Sequence, residues 1–543
     1  MEYSVAIREQ FGQLVPEMVL ALFACILFLG GVFAPNLKRS SWGVTALAAL
    51  LLALLALLVM PGTTQAGNVV FGLPFLFDSL AFVTRLIAIV STIVLVALSW
   101  DEVPDRQVSD YLACLLVIAL GTGLVGAAND LVGLFISLEL VSIPTYVLLY
   151  LPRHDEANQE AAMKYFLLSV LSSGLVLFGF SYLYGLGGTT NIAGLFDALG
   201  QAQRSDPHNA EQFSALRNAS GMALIALIMV VAGLGFRITA VPFHFYAPDV
   251  YQGTSPGAAA LLAMIPKLAG FAALIRALGF VLPDVVTTTT VLAPDGMTRV
   301  RELGMALSRQ VPVLLWFLAV ITMSLGNMLA ILQDNLRRLL AYSGVVHSGY
   351  MLVALASAPH LADPANGGVS ALLYYLVAYG AMTVGVFAVI AMLDRPDRRV
   401  ETVDDLAGLS ASHPGVAVML LILLLSLIGI PFTAGFNGKL MIFFGALSVT
   451  DDAAWLYRTL AVIGMLNAAV GAWYYLRIIA AMYLRTSVRP VATRGTLSGH
   501  IALIVCVVLT VGLSVPPGAN WLLRATRQPT APSAVVQGPD RAN

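Results

Sequence analysis

Five ionisable side chains lie where an apolar chain accommodates them least: Glu139, Arg237, Lys267, His347 and Lys439. Glu139 sits near the middle of NDLVGLFISLELVSIPTYVLLYL, too deep to snorkel to a surface. Its carboxylate must pair with a cation or keep its proton, and both states are useful to a proton carrier. Lys267 follows Pro266 in AAALLAMIPKLAGFAALIRAL, and Lys439 follows Gly438 in a run that Pro431 interrupts. A buried ammonium is the cation that yields its proton most readily. His347 is flanked by Ser343, Gly344, Ser348 and Gly349. Histidine titrates near neutrality and can bridge lysines, although a lone histidine in an apolar helix more often serves as a satisfied structural donor. Lys164 is only a few residues from the polar stretch PRHDEANQE, so a place in a proton path and snorkelling to the surface both stay open.

Arg237 belongs to GLGFRITAVPFHFYAPDVYQGTSPG, Gly233 to Gly257, in which a cation, a proline and a histidine interrupt a run otherwise fit for lipid. Insertion scales charge ~3 kcal/mol for an arginine at the centre of a spanning helix, so Arg237 should face a bundle interior or a hydrated cavity. Guanidinium keeps its proton at any accessible pH, which makes Arg237 a fixed charge, suited to steadying Glu139. Pro242 removes a backbone donor and should open the helix, freeing carbonyls to bind water beside His244. AVPFHF around Pro242 and GIPFTAGFNGK around Pro431 thus read as two spans broken near their middles. Breaks at corresponding positions point to an internal repeat with a transport site between its halves; the alternative is that prolines are simply common in spanning helices.

The elements that must position these groups are membrane helices. With 543 residues, 59% hydrophobic and 11% charged, the chain is far too apolar for a soluble domain. An all-α polytopic membrane protein is expected, with about fourteen spans, near 14–34, 42–59, 77–99, 111–127, 131–151, 161–186, 221–246, 258–282, 311–332, 338–358, 370–393, 415–446, 457–483 and 500–515. Residues 1–515 form one membrane domain in this reading, helices four to eight (about 111–282) repeating as nine to thirteen (about 311–483), with helices seven and twelve broken. Residues 516–543, rich in Pro, Ala and Gln, read as a short disordered tail. The first apolar run lacks a basic leader and a cleavage site and is taken as a retained span.

Loops after odd-numbered helices carry Lys38, Arg39, Arg106, Arg153, Arg337, Arg338, Arg395, Arg398, Arg399, Arg485, Arg489 and Arg494. Those after even-numbered helices carry only Arg204, Arg217, Arg299, Arg301, Arg309 and Arg458. The positive-inside rule then places both termini away from the cytoplasm. A net charge of -1 gives no reason to expect nucleic acid. Cys25, Cys114 and Cys506 lie far apart, without the CxxC spacing of zinc or iron-sulfur sites, so no metal or redox centre is expected.

Several segments together resemble the subunit N family of proton-pumping NADH-quinone oxidoreductase, respiratory complex I. They are FISLELVSIPTYVLLY, EAAMKYFLLSVLSSG, GFRITAVPFHFYAPDVYQGTSP, IPKLAGF, NLRRLLAYSGVVHSGYMLVAL and GIPFTAGFNGKL, spread over nearly the whole chain. The resemblance implies an antiporter-like, fourteen-helix inverted repeat in the cell inner membrane. Glu139, the cation at 237, Lys267 and Lys439 would form a central hydrophilic axis, with Lys164 and His347 alongside. It also implies that NADH, FMN, iron-sulfur clusters and quinone are bound in partner subunits and no cofactor in this chain, and that neighbouring antiporter-like subunits are partners. The related larger subunits usually carry a WLPDAH-type motif where this chain has YAPDVYQG, and the family normally has lysine where this chain has Arg237. The loops around 197–220 and 284–310 look longer than a compact member needs. A cation/proton antiporter subunit without redox coupling uses the same fold and is the competing reading, while a purely structural scaffold is disfavoured by the cost of so many buried charges.

Overall fold

Polar caps followed by apolar runs set the helix ends. Asp78, Asp130, Asp155, Ser255, Asn335 and Thr433 each accept from a backbone amide of the first turn that follows, satisfying donors that would otherwise be orphaned at a helix start. The structure, a computed structural model, describes residues 10–59, 74–153, 155–192, 194–195, 210–279, 305–361, 367–394, 399–486 and 497–526. Of the long loops expected near 197–220 and 284–310, residues 197–209 and 284–304 fall outside these residues, as do Arg204, Arg299, Arg301, Arg395, Arg398, Arg489 and Arg494, whereas 210–220 and 305–310 are helical and extend the spans that follow them.

The helices are α1 (Val15–Phe33), α2 (Arg39–Val59), α3 (Ser79–Leu98), α4 (Val108–Ala127), α5 (Leu131–Tyr150) and α6 (Glu156–Gly187). They continue as α7 (Ala210–Arg237), α8 (Ala247–Gly253), α9 (Pro256–Leu278), α10 (Met305–Ile331), α11 (Leu336–Ser357) and α12 (Gly368–Leu393). The remainder are α13 (Pro414–Ile428), α14 (Ala434–Leu447), α15 (Ala454–Leu484), α16 (Leu497–Ser514) and α17 (Pro516–Thr526). Twelve helices of the described residues are long and apolar enough to cross a membrane, and three shorter apolar helices, Gly221–Arg237, Pro414–Ile428 and Ala434–Leu447, belong to the interrupted ones.

Two runs expected as single helices are divided. The span read as 221–246 stops at Arg237, passes through turns in which Thr239 has φ 58°, and resumes as α8. The span read as 415–446 splits at Gly429 (φ 87°) and Phe432 (φ 69°) into α13 and α14. Each gap holds a proline without an amide proton, Pro242 in the first and Pro431 in the second, beside residues of positive φ that an α-helical ladder does not accommodate; Pro144, Pro266 and Pro312, which lack such neighbours, lie inside continuous helices. The stretch after Val515 differs from its reading as a disordered tail: Pro516–Thr526 is helical, with Leu522 buried and Trp521 exposed, because Trp521, Leu522 and Leu523 give eleven residues an apolar side to lay on the bundle. The rest of the tail is outside the described residues.

At the centre stand α9, α11 and α12, while α1, α2, α6 and α15 present rows of exposed Leu, Val and Phe to the surroundings. Helix α9 is buried throughout because its alanines and glycines let neighbours approach on every side. One end of the bundle, where α2, α4, α6, α9 and α11 begin, is tied by ion pairs between Arg39 and Asp105, Arg153 and Asp155, Arg399 and Asp155, and Arg338 and Asp249.

Candidate functional site

The first cluster joins α5, α6 and the end of α7. Arg237 is 3% exposed, and its guanidinium donates to Glu139 Oε1 at 3.3 Å, to Ser142 Oγ at 2.5 Å, to Ser173 Oγ at 3.3 Å and to the Leu138 carbonyl at 3.3 Å. Ser173 in turn donates to Glu139 at 2.5 Å. The arginine can therefore hold the carboxylate from one side while α5 and α6 satisfy the rest of its planar fork.

The second cluster surrounds Lys267, 1% exposed, in the fourth turn of α9. Its ammonium donates to the Gly344 carbonyl at 2.5 Å and to Tyr379 Oη at 3.4 Å, and lies 4.9 Å from the centre of the Tyr379 ring. Residue 344 must be glycine for this seat, since a Cβ there would stand 2.8 Å from the ammonium nitrogen and 2.9 Å from the tyrosine oxygen. His347, one turn further along α11, is bound at both ring nitrogens: Nδ1 to Tyr375 Oη at 2.6 Å and Nε2 to Tyr475 Oη at 3.0 Å. Tyr475 also shares a hydrogen bond with Ser343. The rings of His347 and Tyr379 have centroids 5.0 Å apart.

The third cluster sits at the α13–α14 break. Lys439 donates to the carbonyls of Leu427 at 2.8 Å and Ile428 at 2.9 Å, which the end of α13 leaves without intrahelical partners. Its ammonium lies 5.3 Å from the Tyr350 ring, which in turn meets His347 at 5.5 Å and Tyr375 at 6.5 Å. A cavity of about 340 Å³ opens beside Lys439 between α14 and α15, lined chiefly by Phe, Leu and Ala.

Lys267 and Lys439 are thus connected through His347 and a set of buried tyrosines, and each ammonium rests on carbonyl dipoles and a ring face. Such seats suit a group that alternates between charged and neutral, because dipoles and π-faces bind a cation without demanding one as a buried carboxylate would. Lys164 is not brought into these clusters. It is half-exposed near one end of the bundle, pairing with Glu160 at 2.6 Å and Asp249 at 2.7 Å, while Arg338 holds the other oxygen of Asp249 at 2.6 Å. His244 lies half-buried in the first break, 6.3 Å from the Tyr342 ring.

Reading the sequence missed the tyrosines, although Tyr375 and Tyr379 are spaced i, i+4 within YYLVAYG and so share one face of a spanning helix. It also passed over two charges inside apolar runs. Glu17 of α1 and Arg85 of α3 pair at 2.8 Å, both buried, with the guanidinium 4.4 Å above the Phe77 ring. At the far end of α9, Arg276 binds Asp78 at 2.5 and 2.8 Å and the Gly126 carbonyl at 2.5 and 2.8 Å. Among the described residues no group of three or more His, Cys, Asp or Glu could hold a metal ion.

Comparison with known proteins places this geometry. The family model for the transmembrane region of NADH:quinone oxidoreductase and Mrp antiporter subunits matches residues 128–293 and 285–464. The NADH-quinone oxidoreductase subunit N of Methylobacterium nodulans is 33% identical over 486 residues, 89% of this chain and 90% of the relative. A chain of respiratory complex I from Thermus thermophilus superposes with a TM-score of 0.70 at 28% identity, covering 93% of this chain and 98% of its own. A chain of the Mrp complex from Dietzia has the same fold, with a TM-score of 0.73 at 19% identity over 94% of this chain and 97% of its own.

Proposed function

Because the chain belongs to the NADH:quinone oxidoreductase/Mrp antiporter family of membrane subunits, we propose that it is the subunit-N member of a proton-pumping NADH:quinone oxidoreductase, moving protons across the membrane while electrons pass to quinone in other subunits. The observation that carries this reading is the seat of Lys267: a fully buried ammonium on the Gly344 carbonyl and the Tyr379 ring, joined through His347 and Tyr350 toward Lys439. In this proposal Glu139 and the fixed charge of Arg237 act on the first half of the path, Lys267 is the central carrier, and His347 and Lys439 continue it.

The path lies within fourteen spans. Two inverted repeats supply most of them, α4 to α9 and α10 to α15, each broken helix counting once. Support comes from the matching positions of the breaks and from the two successive stretches matched by one family model. Both termini lie away from the cytoplasm, as the arginine-rich loops argue. NADH, FMN, iron-sulfur clusters and quinone belong to partner subunits, and neighbouring antiporter-like subunits flank this one in the membrane.

Purification in mild detergent tests the assignment. Co-migration with flavin and iron-sulfur subunits and quinone-dependent NADH oxidation are expected. Isolation with cation/proton exchange alone would instead make the chain an Mrp-type antiporter subunit, the reading to which its shared fold also lends itself.

A further inference from the structure

The ends of three relay helices meet at an acid that the path above does not use. Helices α9, carrying Lys267, and α11, carrying His347, begin at the same end of the bundle where α12, carrying Tyr375 and Tyr379, finishes. Arg337 of α11 donates to the carbonyl of Thr254, just before α9, at 2.9 Å and pairs with Asp394, just after α12, at 2.9 Å. Arg153, itself paired with Asp155, reaches the same carbonyl at 3.3 Å. Glu102, from the loop between α3 and α4, closes this junction. Its two oxygens accept the Gly257 amide at 2.9 and 3.0 Å, so close that a Cβ at 257 would stand 2.5 Å from Oε2.

We propose that Glu102 is a proton-exchanging positioning residue for Lys267, its charge acting along α9 on whether the Lys267 ammonium keeps or yields its proton. The proposal rests on the reading of this chain as a proton translocator. When Glu102 is anionic it favours a cation further along α9; when it takes a proton that attraction ends and Lys267 is freed to release its own. Gly257 precedes Lys267 by ten residues, roughly 15 Å along the axis. At an effective dielectric of about 20, a unit charge at that separation moves a titration by somewhat less than ~1 pH unit.

Glu102 lies outside the spans, partly buried, with its carboxylate turned onto the start of α9. Burial pushes its carboxyl from 4.5 up to about 7, against the opposing pull of Ser255, the Gly257 amide and Arg337, and with help from Asp394. Nearby ionisable groups also include Tyr111, whose hydroxyl is tied to Ser99 at 3.0 Å, and Arg39, which donates to the Trp100 and Val103 carbonyls at 2.7 Å on either side of Glu102 and pairs with Asp101 at 3.6 Å. A carboxylate at a helix N-terminus would ordinarily hold its charge well below pH 7. Burial brings this one toward the range where a pump works.

The test uses the whole complex reconstituted in vesicles, with NADH-driven quinone reduction and proton pumping followed from pH 5.5 to 8.5 as an order-of-magnitude working window around the neutral range. Glu102→Gln fixes the neutral form. Its pH profile should lose, or shift by ~1 pH unit, the limb that the wild type shows near neutrality, while turnover at the optimum stays within about two-fold and artificial-acceptor NADH oxidation is unchanged. Glu102→Asp should retain a shifted limb. An unaltered profile overturns the proposal, as does a uniform loss of turnover with the profile unchanged, or failure of both variants to assemble, either of which would make Glu102 a structural cap. Lys267→Ala, measured alongside, separates the two ideas: full pumping there would overturn the proposed function itself, whereas lost pumping with an unaltered Glu102→Gln profile overturns only this inference.

Discussion

The ammonium of Lys267 rests on the backbone carbonyl of Gly344, 2.5 Å away, in the place that any side chain at 344 would occupy. The central charge of α9 is therefore seated by what α11 lacks at this point. Glycine at 344 has a positional reason here that is independent of backbone conformation, because the helix is regular through this turn.

That contact gives the first prediction. Gly344→Ala should displace the Lys267 ammonium and the Tyr379 hydroxyl together and lower coupled quinone reduction several-fold, with the complex still assembled. Lys267→Ala should lower it further. Proton pumping in vesicles, set against NADH oxidation by an artificial acceptor, checks both; wild-type pumping in Gly344→Ala would show that the seat is dispensable.

Arg237 and Glu139 give the second. Arg237→Lys should retain pumping, since an ammonium can still reach Glu139 and Ser173, though it gives up part of the fork that holds Ser142 and Leu138. Arg237→Gln should slow turnover by removing the charged partner of the half-buried Glu139 carboxylate. Turnover and assembly are measured on the same preparation. Full activity in an intact Arg237→Gln complex would refute an electrostatic role, and loss of assembly would favour a structural one.

Lys439→Ala should be more damaging than Lys164→Ala. Lys439 is buried on freed carbonyls beside Tyr350, whereas Lys164 is half-exposed within a surface ion-pair group, where a single pair contributes ~0–1 kcal/mol. Pumping rates of the two variants at equal complex content decide the order.

Glu17 and Arg85 supply a prediction about stability instead of transport. Glu17→Ala leaves Arg85 buried without its partner and should destabilise the N-terminal helices by ~3–5 kcal/mol. Replacing both residues with apolar side chains of similar volume should recover most of that loss. Yield of assembled complex and its thermal midpoint are the readouts, and equal yields for the single and double variants would contradict a pairing role.

The sequence alone determined the class of this protein and most of its deep charges, because a membrane interior makes both legible. Long apolar runs have no alternative but to be helices in lipid, and a Glu or Lys within one stands out against its neighbours. The two broken helices were legible from the similar segments AVPFHF and GIPFTAGFNGK around Pro242 and Pro431, although a missing backbone donor alone does not break a helix, since α5, α9 and α10 run through Pro144, Pro266 and Pro312. What the sequence could not determine was which charges meet. Nearness to PRHDEANQE left the place of Lys164 open between a proton path and the surface, and only helix packing decides it: Lys164 is tied to Glu160 and Asp249 near an end of the bundle, whereas Lys267 is sealed against Gly344. The tyrosines between Lys267 and Lys439 come from α11, α12 and α15, segments separated by dozens of residues, so no local pattern marks their convergence on His347. Glu102 was hidden for the opposite reason: it lies in a short polar loop where an acid is unremarkable, and only the approach of α9 puts the Gly257 amide on its carboxylate, beside the Arg337–Asp394 pair. Periodicity and composition report the solvent each segment requires, whereas the partner of each charge depends on contacts between segments that sequence spacing does not record.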